Sequence, residues 1–200
     1  MMAKLAASKI KVMVGSTVYG FQDHLMAICS QIETYGYHVV NSHMGTMRVD
    51  PTLSNMENCL AAVRECDVFL GIIRPYYGTG NIDQATNITF EEIKLAMKLN
   101  KPYWFLVHRD VTFARQLFRN LYVEGIEGRE ILLKKNTVFD KRTLAIYDHV
   151  IKHGQPLETR SGNWAQEFYR LDEALTYVET QFRDQQFIVD LLTRSKERHG

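Results

Sequence analysis

A Gly-Ser-Thr run at 15–17, Arg74, tyrosines at 76 and 77, and Glu92 are the residues of this 200-residue chain whose types could do chemistry together. Backbone amides and hydroxyls at Gly15, Ser16 and Thr17, followed by a helical pattern, suit a phosphate or the hydroxyls of a ribose. Arg74 could neutralise a phosphate, and Tyr19 or Tyr77 could stack on a base. A carboxylate at Glu92 could stabilise the positive charge that builds on a ribose as its glycosidic bond breaks. Gly78 and Thr89 complete the set of candidate binding residues. The run is no Walker loop, because Gly-Lys-Ser is missing, and the Gly-x-Gly-x-x-Gly dinucleotide fingerprint is absent too.

Each of these residues also has a purely structural reading. Thr89 and Glu92 stand three apart, the spacing of a capping box, which would explain the glutamate without catalysis. Ser16 and Thr17 could cap the helix that follows, and Tyr76 and Tyr77 could pack as a lid. His108 reads as a strand-end histidine and Arg109–Asp110 as a solvated turn. Asp67 lies at the amino end of its strand, the wrong edge for a ligand.

The elements that would position these groups follow from apolar periodicity. Runs at 10–16, 68–73 and 103–108 are apolar on both faces, as in central parallel strands, and a shorter strand covers 38–42. Between them, Leu25, Ile28, Cys29, Ile32 and Tyr35 form one helical stripe that Gly36 ends. Ser54 and Glu57 open a second helix with the stripe Met56, Cys59, Leu60, Val63 and Cys66. Ile93, Ala96 and Met97 form the inner face of a third, which Lys101-Pro102 terminates. Strands alternating with amphipathic helices imply right-handed βαβ units and a parallel sheet. Ligands of such sheets bind beyond the strands' carboxyl ends, where the chain order reverses, here between the strands at 10–16 and 68–73.

The second half is patterned less sharply. Phe113, Leu117 and Leu121 predict a helix over 111–122, and ILLKKNTVF a strand within 130–139. Leu144, Tyr147, Val150 and Ile151 predict a helix after Asp140, SGNW at 161–164 a turn, and Asp172 the cap of a helix reaching Gln181. Residues 184–198 read as helical. No linker rich in Pro, Gly or Ser separates the halves, so 111–200 is expected as an extension packed on a core at 8–110.

Composition narrows the class. The hydrophobic fraction is 46% and the charged fraction 24%, ordinary for a soluble globular protein, and the formal net charge is +1. No general attraction to nucleic acid or anionic membrane follows, and no apolar run approaches the roughly 20 residues of a membrane span. Three cysteines, Cys29, Cys59 and Cys66, lie on helical stripes and read as buried thiols rather than as disulfides or metal ligands. A cytoplasmic setting without metal or cofactor is the expectation.

The phrases KVMVGSTVYGF at 11–21, NCLAAVRECDVFLGII at 58–73, YYGTG at 76–80 and NITFEEIKLAMKLNKPYWFLV at 87–107 together resemble domain-of-unknown-function family 4062. The resemblance spans about residues 8–110. It implies a three-layer Rossmann-like α/β fold shared with TIR domains and nucleoside 2-deoxyribosyltransferases, here with a helical C-terminal extension. In those relatives a glutamate at the start of the helix after the third strand, matching Glu92, takes part in cleaving an N-glycosidic bond. A Ser/Thr loop matching Ser16 and Thr17 lines their nucleotide site. Asn87 stands where members often carry serine.

Two functions are therefore expected. The first is an enzyme acting on the ribose–base bond of NAD or a related nucleotide, with Glu92 catalytic and Ser16, Thr17, Tyr19, Arg74, Tyr77, Gly78 and Thr89 binding. The second is a module that binds a nucleotide signal, or a protein, without turnover. A homo-oligomer or a partner protein accompanies both, and a defence or signalling setting follows from the resemblance.

Overall fold

The computed structural model describes residues 9–77, 87–120 and 139–197. Strands β1 (Lys11–Ser16), β3 (Val68–Ile73) and β4 (Tyr103–His108) form where apolar residues run without alternation. All six residues of β3 are buried, which only a central strand covered on both faces allows. β2 is shorter than its pattern, His38–Val40. Asn41 ends it, because its amide donates to the Val14 carbonyl (2.7 Å) and its side-chain oxygen accepts from the amides of His43 and Met44. A fifth strand, β5 (Ala165–Phe168), follows the SGNW turn directly and has no counterpart in the sequence reading. Four residues with one buried side chain carry too little pattern to announce a strand.

The five strands are all parallel, in the order β2-β1-β3-β4-β5. The chain leaves β1 toward β2 on one side and returns to pair β3 on the other. The reversal therefore lies between β1 and β3, where Gly15 stands beside Gly71 and Ser16 beside Ile72.

Helices cover both faces. On one, α1 (Gln22–Thr34), α6 (Leu171–Phe182) and α7 (Gln185–Glu197) pack Leu25, Ile28, Ile32, Val178, Phe182 and Ile188 against Val12, Val14, Leu70 and Leu106. On the other, α2 (Asn55–Glu65), α3 (Ile88–Lys98), α4 (Arg109–Asn120) and α5 (Arg142–Val150) bring Val63, Ile93, Val111 and Ile146 to Met13, Phe69, Phe105 and Val107. The result is the expected three-layer α/β architecture.

Several local expectations shift. Ser54 and Glu57 do form a capping box. Asp172 is not a cap: Arg170 holds that position, and the Glu173 carboxylate accepts from the amides of Tyr169 (2.7 Å) and Arg170 (3.2 Å). Phe113 and Leu117 lie on the outer side of α4, 62% and 43% exposed, while Val111 and Ala114 are the residues it buries. Small residues let that helix sit close to the sheet, so its larger apolar groups face away. Leu121 and, but for Phe139, the strand expected at 130–139 lie outside the described residues.

The C-terminal half is structural material for the sheet. It supplies β5 and five buried members of the first core cluster: Phe168, Ala174, Val178, Phe182 and Ile188, all but Ala174 with large side chains. At roughly 1.5–3 kcal/mol per large side chain buried, their removal rivals the roughly 5–15 kcal/mol that holds a whole domain. A chain ending at residue 110 is therefore expected to lack the cooperative thermal transition of the full chain in circular dichroism; a sharp melt of that fragment would contradict this account.

Candidate functional site

The site begins with a missing side chain. Gly15 is the last buried residue of β1, and a Cβ built there would stand 2.8 Å from Glu92 Oε2 and 2.9 Å from the Phe69 ring. The carboxyl of Glu92 therefore lies directly over the backbone of β1, in space that any other residue at 15 would occupy. Glu92 is 4% exposed, whereas its neighbour Glu91 faces outward and pairs with Lys94.

The start of α3 differs from the sequence expectation in a way that bears on this glutamate. The N-cap is Asn87, not Thr89: its side-chain oxygen accepts from the Phe90 amide at 2.7 Å. Its side-chain amide donates to the Tyr77 carbonyl, so one residue joins the helix start to the end of the β3 loop. The capping box of Thr89 and Glu92 does not form. Two residues into the helix, Thr89 has no capping geometry, and Glu92 points inward to the sheet. The structural explanation for Glu92 thereby falls away.

A hollow of about 190 Å³ opens at this point. Its walls are Gly15, Ser16, Thr17 and Tyr19 after β1, Ser42 after β2, and Cys59 of α2. Tyr77, Asn87, Thr89 and Glu92 close the opposite side. The Thr17 hydroxyl is buried and has no hydrogen-bond partner, which costs about 1–3 kcal/mol unless something else satisfies it. Ser16 and Thr17 do not cap α1: that helix starts at Gln22 with no side-chain cap, and the Ser16 hydroxyl donates to the Thr17 carbonyl at 3.1 Å. Tyr19, 77% exposed, stands at the rim in edge contact with Tyr76. Tyr77 is buried beneath the Arg142 guanidinium, 4.1 Å from its ring centroid.

Arg74 is placed differently from the other candidates. It lies outside the walls of the hollow, buried against the Phe21 ring (4.3 Å), and its Nη1 donates to the carbonyls of Thr17 (3.1 Å) and Tyr19 (2.8 Å). It thus braces the β1–α1 loop from behind. Burial pushes its pKa down to about 10, which leaves it charged at neutral pH. Gly78 lies outside the described residues.

Burial also sets the proton on Glu92. Taken fully out of water, its carboxyl is pushed up to about 8, and a hydrogen bond from the Cys59 thiol only partly offsets this. The Cys59 thiol is itself pushed up to about 12, by burial first and by Glu92 second. At neutral pH the hollow thus holds a mostly neutral carboxyl beside a neutral thiol. Such a group is poised to exchange a proton or to ionise against a cation. Among the described residues, no group of three or more His, Cys, Asp and Glu side chains is arranged to hold a metal ion.

Sequence reasoning overlooked Ser42 and Cys59 as walls. Cys59 carried a signal, since it lies on the inner stripe of α2, but an inner stripe does not say which inner residues meet an opening. An open groove of about 850 Å³ lies elsewhere, between β5 and α6. It is larger than the hollow, but none of its lining side chains is a buried polar group without a hydrogen-bond partner.

Two outcomes follow from this geometry. Gly15→Ala is expected to destabilise by about 1–3 kcal/mol, the usual cost of forcing a methyl into a packed position, measured by urea unfolding; a neutral result would mean Glu92 moves aside freely. Because the folded pKa of Glu92 lies above its unfolded value of 4.5, its contribution to stability is complete below pH 4.5 and is lost as pH rises through about 8. Glu92→Gln removes this titration. Its stability relative to the parent should therefore rise between pH 5 and 8 by on the order of a few kcal/mol and level off above; a constant gap across that range would show that Glu92 ionises normally.

Comparison with known proteins adds three findings. No protein of curated function matches the chain. A solved structure described as the Clostridium botulinum CMP N-glycosidase BcmB is similar, with 15% identity and a TM-score of 0.46, over 85% of this chain and 98% of its own. The family model described as domain of unknown function DUF4062 matches residues 11–144, more than half the chain and beyond the stretch at 8–110 that the sequence phrases suggested. The chain belongs to the DUF4062 family.

Proposed function

We propose that the hollow receives the ribose of a nucleotide-type ligand and that Glu92 acts at the bond between ribose and base. The observation that carries this reading is the buried Glu92 carboxyl over Gly15, in a hollow that also holds the unpartnered Thr17 hydroxyl. A carboxyl costs several kcal/mol to bury without a charged partner. Its position at the point where the sheet order reverses is where open α/β sheets bind ligands.

The steps follow from the geometry. Ser16 and Thr17 hydroxyls and the loop amides hold ribose hydroxyls, with Arg74 keeping that loop in shape. Tyr19 at the rim offers a stacking face for a ring outside. Glu92, once ionised, attacks the anomeric carbon or stabilises the cation forming there, and the base leaves with the bonding pair. Water then attacks the sugar, and its proton passes to the solvent or to the departed base. Thr89 and Tyr77 shape the far wall. Residues 8–110 and 111–200 act as one domain in this reading, since the extension adds β5 to the same sheet and packs α6 and α7 on its face.

A second reading, binding without turnover, draws on the same raised pKa. A carboxyl that is neutral at pH 7 can donate a hydrogen bond to a bound ligand and leave its glycosidic bond intact.

The assay is release of free base from NAD, nucleotides and nucleosides, followed by chromatography. If Glu92 acts as the anion, kcat/KM rises with pH and levels off above about 8, because the protonated acid cannot attack. Glu92→Gln should then cost about 10²–10³-fold or more. Release that survives this substitution excludes the proposed role, and a ligand-induced rise in melting temperature without product supports the binding module instead.

A further inference from the structure

We propose that Cys59 is a positioning residue for Glu92, its thiol donating to the carboxylate and steadying the ionised form over Gly15. This role rests on the reading of Glu92 as the acting group, and it adds the side chain that brings ionisation within reach.

The walls of the hollow narrow the choice of donor. Cys59 lies on the inner stripe of α2, is 4% exposed, and lines the hollow together with Glu92 where α2 packs on α3. A hydrogen bond joins its thiol to the carboxyl. Other donors in the walls are not bonded to Glu92. The Ser16 hydroxyl donates to the Thr17 carbonyl at 3.1 Å, and the Asn87 amide donates to the Tyr77 carbonyl. The Thr17 hydroxyl has no partner among the described residues.

Neighbouring charges do not take over the task. Gly15 of β1 and Phe69 of β3, which stand against the carboxyl, carry no ionisable group. On α3, Glu91 and Lys94 pair with each other and Lys98 is exposed. On α2, Glu57 closes the capping box, and Arg64 and Glu65 are exposed at the far end. Arg74 is turned to the carbonyls of the β1–α1 loop. Tyr19 stands at the rim, and burial pushes the Tyr77 phenol above its ordinary value. Among the described residues, no lysine, arginine, histidine or aspartate lines the hollow.

The thiol's own proton fixes the direction of the effect. Burial first and Glu92 second push Cys59 up to about 12, so it stays S–H near neutral pH. An S–H donor favours the carboxylate over the acid, because the acid's own O–H finds in sulfur only a weak acceptor. Without this contact Glu92 would ionise at still higher pH. A thiol that keeps its proton is also a poor nucleophile, so Cys59 holds Glu92 and does not attack the sugar.

The test compares Cys59→Ala, which removes the donor, with Cys59→Ser, which supplies a stronger one. Two titrations are followed: the pH dependence of base release, and the carbon-13 shift of the Glu92 carboxyl, identified as the resonance that Glu92→Gln lacks. Cys59→Ala should move both midpoints up by about 0.5–1 pH unit and lower kcat/KM at pH 7 roughly 3–10-fold, with recovery at high pH. Cys59→Ser should move both midpoints down. A residue that only packs would lower the melting temperature and slow release equally at every pH. Midpoints that stay in place therefore overturn the proposal, and so do midpoints that both variants shift in the same direction. Failure of the parent to release any base overturns the reading of Glu92 as catalyst, whereas the carboxyl titration still decides the contact with Cys59.

Discussion

Glu92 lies over Gly15 in space that a side chain at residue 15 would otherwise fill. The contact works only if the third helix delivers its side chain at the carboxyl end of β1, if residue 15 has no Cβ, and if Phe69 closes the remaining side. Every larger feature serves one of these conditions. The parallel order puts β1 beside β3, the apolar run of β3 buries Phe69, and the Asn87 cap fixes where α3 begins and therefore which residue of its first two turns points inward. A helix starting two residues later would rotate the inward direction by about 200° and face Glu92 away.

Burial of that carboxyl is an expense the fold sustains. A leucine at 92 would satisfy the same packing without desolvating an ionisable group, and the Cys59 thiol is a weak donor that compensates little. The Thr17 hydroxyl nearby is a second cost of the same kind. A buried carboxyl with only a thiol as partner and an unpartnered hydroxyl at one opening are the physical basis for reading that opening as a candidate site. Around them, the Arg74 guanidinium lies against the Phe21 and Tyr76 rings and donates to the Thr17 and Tyr19 carbonyls, and the Asn87 side chain joins Tyr77 to the start of α3.

The sheet distributes its roles along its width. β1 and β3, in the centre, carry the hollow. β5, at the end of the strand order and contributed by the C-terminal half, follows directly on the exposed Trp164.

The sequence by itself determined the central architecture. Unbroken apolar runs identified β1, β3 and β4, helical stripes identified α1 to α3, and their alternation dictated a parallel sheet whose reversal point lies beside residues 15–17. Those signals are strong because burial on both faces leaves no freedom in residue type. The sequence also nominated Glu92, but it could not separate a helix cap from a buried acid, since both want a carboxylate near a helix start. Only the tertiary structure decided that, by moving the cap to Asn87 and by setting the carboxyl against a strand seventy-seven residues away. It alone turned Arg74 from the hollow toward the loop carbonyls, exposed Phe113 and Leu117, and added β5. These outcomes rest on contacts between segments distant along the chain, and local periodicity records which residues are buried but not what they are buried against.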